Sequence, residues 1–241
     1  MSARSVVRKI VGSPIDAFAI PDPPEPKTDL ERIFASGRCR LVHKWLHYLP
    51  IYERHLERYR GTRFRMLEIG VSGGGSLDMW SEYFGPQAEL WGIDVNPACA
   101  ALDTPQTHVR IGSQADEAFL RAVVAEMGGL DLVLDDGSHI GKHQWKSFEI
   151  LFPLLSEGGL YMIEDAHTSY WWQWAGGLGR KRTAIGLAKQ IIDDMHGWYH
   201  KGKTRTGAQH EVGSIQIHDS IIVIEKQHRE RPGHAMIEKK A

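Results

Sequence analysis

Residues 63–80 read RFRMLEIGVSGGGSLDMW, an apolar run carrying Glu68, then a glycine turn, then an amphipathic stretch. A short apolar run that ends in glycines reads as a strand feeding a helix. The unit recurs downstream. AELWGIDVNP (88–97) reads as a second strand with an acid at its end, and THVRIGS (107–113) as a third. GLDLVLDDG (129–137) and GGLYMIEDAH (158–167) read as the fourth and fifth. Helical spacing fills residues 115–127, and HIGKHQWKSFEILFPLL (139–155) reads as one long helix. This alternation predicts an α/β fold, a Rossmann-like and mostly parallel sheet with helices on both faces. EVGSIQIHDSIIVIEK (211–226) adds an antiparallel hairpin turning at His218-Asp219. Ligands of such sheets bind beyond the carboxyl ends of the strands. Glu68, Asp94, Asp135-Asp136 and Glu164-Asp165 are therefore expected to converge on one cleft.

The chain has 241 residues, a formal charge of -1 and 42% apolar residues, enough for one full core. The balanced charge gives no reason to bind nucleic acid. No apolar run approaches the roughly 20 residues of a membrane span, and the N-terminus is too polar for a signal peptide. Two cysteines, Cys39 and Cys99, exclude a disulfide scaffold and fit a reducing, cytoplasmic setting. Residues 1–27 read as a proline-rich arm whose Ile15, Phe18 and Ile20 pack either on their own domain or on a second subunit. Residues 28–60 read as helices shaping the cleft, started by Thr28 or Asp29 and interrupted at Pro50. The core is expected over 61–228, with a lid at 168–183, and a polar tail over 229–241.

The glycine turn lacks both GxGxxG and the GK[ST] of a P-loop, and Glu68 before it would repel phosphate. That acid suits a cationic ligand without a pyrophosphate. Asp94 is placed to accept from both hydroxyls of a ribose. A glycine turn also occurs without a ligand; Asp94 at this interval favours one, and the pair points to S-adenosylmethionine. Gly70 and Ser76 belong to the same turn, and Ser113 and Gln114, after the third strand, are adenine-side candidates.

At the other end of the cleft, Asp136, Glu164 and Asp165 repel one another unless a cation compensates. An all-oxygen set suits Mg2+ or Mn2+, and such an ion could grip two adjacent hydroxyls. His139 is expected in the first turn of the following helix, as general base. His143 is expected one turn further on and His167 just beyond Asp165. Tyr48 and Tyr52 could shape a substrate pocket. Tyr170, Trp171 and Trp172 could stack on a sugar or a flat aglycone, or form a subunit interface.

LEIGVSGGGSLDMW, WGIDVNP, DLVLDDGSHIGKHQ, SFEILFPLL and GGLYMIEDAHTSYW together resemble the metal-dependent sugar O-methyltransferases of natural-product pathways, from about residue 44 to 226. The mycinamicin-type and tetracenomycin-type glycoside methyltransferases, and mycobacterial mannoside or rhamnoside methyltransferases, look similar. The resemblance implies a class I methyltransferase sheet, S-adenosylmethionine as cofactor, and Glu68, Gly70 and Asp94 at cofactor positions. It implies Mg2+ on Asp136, Glu164 and Asp165, His139 as general base, and Asp135 facing the methionine part of the cofactor. It further implies a sugar or glycoside acceptor and a homodimer or higher homo-oligomer. Two other activities share parts of the pattern. A catechol methyltransferase would also use Mg2+ on vicinal hydroxyls. A cephalosporin-hydroxylase-like enzyme would hold iron on His139, His143 and Asp165.

Overall fold

The computed structural model describes residues 24–206 and 208–238. Ile15, Phe18, Ile20 and the rest of the arm up to residue 23 lie outside the described residues. Strands β1 (Arg65–Ile69), β2 (Glu89–Asp94), β3 (Thr107–Ile111), β4 (Leu132–Asp135), β5 (Leu160–Ile163), β6 (Val212–Ile217) and β7 (Ile222–Lys226) form one sheet in the order β3-β2-β1-β4-β5-β7-β6. The first five pair in parallel, and β7 runs antiparallel to both β5 and β6. The chain moves outward from β1 to β3, crosses back and restarts at β4. The strand order therefore reverses between β1 and β4, where Ile69 lies beside Asp135.

Helices α1 (Asp29–Ala35), α2 (Tyr48–Leu56) and α3 (Gly75–Phe84) cover one face of the sheet. Helices α4 (Glu117–Met127), α5 (Gly141–Leu151) and α6 (Ala184–Met195) cover the other. Strand alternation decides which side chain meets which layer. Leu67, Ile69, Val133, Tyr161 and Ile163 join the α4–α6 core, whereas Met66, Leu132, Leu134, Leu160 and Met162 join the α1–α3 core. The same parity carries Glu68 and Glu164 toward α2 and α3, and Asp135 toward α5. Polar side chains at strand ends are thus sorted by position before any of them meets a ligand.

Two local expectations need correction. Pro50 does not separate two helices. It is the third residue of α2, where its missing N–H would have had no intrahelical acceptor. Residues 42–45 are irregular instead of helical. In addition, α5 starts at Gly141, so His139 precedes the helix. Thr28 is the N-cap of α1, with its hydroxyl accepting from Glu31 N at 3.2 Å and the Glu31 carboxylate accepting from Thr28 N at 3.1 Å.

Gly70 is needed for the close approach of β1 to β4. Its φ is +94°, and an added Cβ would stand 2.2 Å from the carbonyl oxygen of Asp136. Gly70→Ala is therefore expected to cost about 3 kcal/mol or more, through positive φ and a clash with backbone that cannot rotate away. Urea denaturation of the variant checks this; a loss under about 1 kcal/mol would show that the junction can relax.

Candidate active site

The acids at the carboxyl ends of β4 and β5 divide into two groups. Glu164 is buried, and both its oxygens accept from Lys44 Nζ, at 2.9 and 2.8 Å. The Tyr52 hydroxyl also donates to it. Asp136 Oδ2 accepts from the same ammonium at 2.6 Å. Burial alone would pull the Lys44 pKa down, but the charges of Asp136, Glu164 and Glu68 outweigh that and push it up, so Lys44 stays charged. Asp165 accepts from the Tyr48 hydroxyl at 2.7 Å. Burial, then the nearby carboxylates, push both phenols up, so each remains a proton donor.

The second group faces the cleft. Asp136, His139 and Asp165 each offer one ligand atom, and these atoms lie within 4.8 Å of one another. His139 Nε2 is 3.9 Å from Asp136 Oδ1 and 3.7 Å from Asp165 Oδ2, too far for hydrogen bonds to either. Its Nδ1 is buried with no hydrogen-bond partner among the described residues. Two carboxylate oxygens beside an imidazole suit a hard divalent cation such as Mg2+ or Mn2+. This cluster differs from the expected carboxylate trio. His139 stands beside the two part-exposed carboxylates, and Glu164 stands behind them, held by Lys44.

Backbone strain marks the same place. Ser72, His139, Asp165 and Ser220 all have positive φ, at 49°, 54°, 55° and 67°. Such conformations cost of order 1 kcal/mol or more each for residues with a Cβ, and they cluster where side chains must be aimed. His139 reaches the acids through this left-handed turn and not through the first turn of a helix. Ser220, in the β6–β7 turn, meets His167 Nδ1 and accepts from Ala166 N with its carbonyl at 2.9 Å.

At the cofactor end, Asp94 lies beside the glycine turn. Its Oδ2 accepts from Val71 N and Ser72 N at 3.1 and 2.9 Å, and Oδ1 accepts from Asn96 N at 2.8 Å. Ser113 is on the rim, accepting from Ala115 N at 3.2 Å. Glu68 is fully buried and accepts from Ser76 Oγ at 2.9 Å and from Trp80 Nε1 at 3.4 Å. Gln114 is turned inward, its amide donating to Asp135 at 3.0 Å and its carbonyl accepting from Ser138 N at 2.8 Å. Asp135, expected on the cofactor side, is fully buried. Strand parity sends it into the α5 core, where it also accepts from Ser147 Oγ at 2.7 Å and Tyr161 OH at 3.1 Å.

Burial pushes the Glu68 carboxyl up from 4.5 to about 7, against the opposing pull of Lys44. Between those values the folded protein binds a proton that the unfolded chain has released, so stability falls as pH rises through that window. Glu68→Gln should flatten the fall. Urea midpoints at about pH 5 and about pH 7.5 should differ less in the variant, by of order 1–3 kcal/mol of unfolding free energy. Parallel pH profiles in both proteins would exclude Glu68 as the source.

The residues expected on the substrate side lie in different environments. Tyr48 and Tyr52 are both buried, so they support Asp165 and Glu164 and do not present a surface to an acceptor. His143 Nδ1 bonds Ser138 Oγ at 2.9 Å, outside the cluster, so the three-ligand iron reading loses one of its histidines. The His167 ring packs edge-on against Trp171 at 4.5 Å and Trp45 at 5.4 Å, beside Asp165. Tyr170 and Trp172 are exposed, on the turns Ala166–Tyr170 and Trp172–Trp174. A separate cleft of about 440 Å3, lined by Arg63, Glu89, Gln106 and His108, opens at the amino ends of β2 and β3, away from the acids.

The chain is 37% identical over 211 residues to the 8-demethyl-8-(2-methoxy-alpha-L-rhamnosyl)-tetracenomycin-C 3'-O-methyltransferase of Streptomyces olivaceus, covering 82% of this chain and 54% of that one. The 8-demethyl-8-alpha-L-rhamnosyl tetracenomycin-C 2'-O-methyltransferase of the same organism is 34% identical over 241 residues, covering 90% of this chain and 63% of the relative. The methyltransferase MycE of the mycinamycin biosynthetic pathway, solved in complex with Mg, SAH and Mycinamycin VI, superposes with a TM-score of 0.73 at 31% identity, covering 84% of this chain and 54% of MycE. The chain is thus similar to methyltransferases of the tetracenomycin and mycinamycin pathways. It spans between about half and two thirds of the length of these relatives. No protein-family model matches it.

The residue pattern passed over Lys44. KWLHYL reads as one more turn of amphipathic helix, and nothing in that spacing shows a lysine that leaves the helix and enters the acids. Among the described residues no helix is long and apolar enough to cross a membrane.

Proposed function

We propose that this protein transfers a methyl group from S-adenosylmethionine to a hydroxyl of a sugar or glycoside, with a divalent cation, Mg2+ by preference, and with His139 as general base. The observation that carries this reading is the Asp136–His139–Asp165 cluster at the carboxyl edge of the sheet, in a chain similar to sugar O-methyltransferases. Asp136 and Asp165 would hold the cation, with Glu164 behind them. When bound, the cation lowers the pKa of a hydroxyl it touches and fixes its direction. Tyr48 and Tyr52 keep the Asp165 and Glu164 carboxylates aimed. The turn from Gly70 to Ser76, with Asp94 and Ser113 at its side, forms the cofactor end.

His139 Nε2 takes the proton of the acceptor hydroxyl. The oxygen then attacks the methyl carbon in line as the carbon–sulfur bond breaks, leaving a methyl ether and S-adenosylhomocysteine. Orientation and charge placement supply most of the rate. His167, Trp171 and Trp172 line the acceptor side, where an aromatic face suits a pyranose ring. We place the protein in the cytoplasm, as the two free cysteines favour, and as a homo-oligomer, to be read by light scattering.

Calorimetric titration with S-adenosylmethionine and S-adenosylhomocysteine, then with rhamnosides and mannosides in Mg2+ or chelator, tests the function. Stoichiometric cofactor binding with metal-dependent glycoside binding and methyl transfer is expected. No cofactor binding under any condition would sink the reading.

A further inference from the structure

Lys44 belongs to neither the cofactor end nor the reacting group, yet it is a buried charge in the site. Its side chain is 2% exposed. An ammonium has three N–H donors, and its nitrogen makes three carboxylate contacts, one to Asp136 Oδ2 and two to Glu164. It comes from the irregular stretch 42–45 ahead of α2, so the backbone there is shaped to deliver it. The other Asp136 oxygen lies 3.9 Å from His139 Nε2. One carboxylate is therefore shared between a cation built into the chain and the candidate metal position.

We propose that Lys44 is a tethered counter-cation, a positioning residue that orders Asp136 and Glu164 and competes with a divalent ion for them. The inference rests on the metal reading of the cluster proposed above. Four carboxylates, Glu68, Asp136, Glu164 and Asp165, surround this region, and one ammonium meets part of their demand for positive charge. Without it, Glu164 would be buried with no positive partner and would repel Asp136. With it, the carboxylates are already aligned before an ion arrives. The consequence is weaker ion affinity, because a second positive charge lies against Asp136. The ion becomes exchangeable, while the ligands stay in place.

Lys44→Met removes the charge and keeps much of the stem. Mn2+ titration of the purified full chain, followed by calorimetry and by paramagnetic signal, is expected to show affinity tightened by about tenfold or more. The variant should melt lower than wild type without Mn2+ and gain more melting temperature on its addition. Lys44→Arg, which keeps the charge, should restore wild-type affinity. Lys44→Gln, an uncharged donor, gives the same reading if the methionine variant does not fold. A purely structural lysine predicts weaker ion binding on its removal, so unchanged or weakened affinity in a folded Lys44→Met or Lys44→Gln protein overturns the proposal. Wild-type protein that binds Mn2+ in that case leaves the metal reading standing. No Mn2+ binding in wild type or in any variant overturns both.

Discussion

Replacing His139 with alanine is expected to lower methyl transfer by about 10³-fold while leaving S-adenosylhomocysteine affinity within about twofold, the scale of losing a positioned general base. The imidazole is held by a left-handed backbone turn, φ 54°, and its Nε2 stands 3.9 and 3.7 Å from the two acids. His143 bonds Ser138, and His167 Nδ1 bonds Ser220 with its pKa pulled down by burial. The cofactor end is built from β1, β2 and the turn after β3, so truncation of His139 should not reach it. The assay is single-turnover methyl transfer to a glycoside beside calorimetric titration of S-adenosylhomocysteine. A variant that turns over at the wild-type rate would remove His139 from the role of base. Equal loss of turnover and of cofactor binding would point to collapse of the loop.

The second large effect is expected at Asp136. Asp136→Asn should weaken Mg2+ binding by about 100-fold and methyl transfer by about 10³-fold, since it removes a charge that a bound cation and the reacting hydroxyl both depend on. It also takes one carboxylate from Lys44 Nζ, which would then rest on Glu164 alone. Asp165→Asn should act in the same direction and additionally alter the acceptor of the Tyr48 hydroxyl. Activity titrated against Mg2+ and against chelator reads both variants. Turnover that persists in chelator, in wild type or in Asp136→Asn, would remove the metal from the mechanism.

Much of the site was legible because its residues stand at strand ends, and strand ends are the most readable points of an α/β sequence. DLVLDD, GGLYMIED and RMLEIG each show an apolar run that stops at an acid, and the sheet brings the three stops together at the β1–β4 reversal. Asp136, Glu164 and Asp165 stand out as one acidic group on this ground, and His139 by its place three residues after Asp136; the structure sets His139 beside Asp136 and Asp165 and turns Glu164 to Lys44. What failed was direction. Asp135 and Asp136 are adjacent in sequence, yet Asp135 follows the parity of Val133 into the α5 core, whereas Asp136, just past the strand, reaches Lys44. Tyr48 and Tyr52 were read as pocket walls, because an amphipathic helix shows which residues share a face and not how deeply that face is buried.

The sequence by itself determined the α/β class, the parallel run of five strands with an added hairpin, the glycine turn at β1 and the acids of the cleft. Local patterning fixes these, because alternation, glycine and chain polarity act over a few residues. Tertiary structure alone decided that Glu164 faces Lys44, that His139 lies in a strained loop ahead of α5, and that Asp135 is a core group. Lys44 and Glu164 are separated by 120 positions. Their pairing follows from the tertiary placement of the stretch 42–45 beside the carboxyl end of β5, which no local pattern encodes.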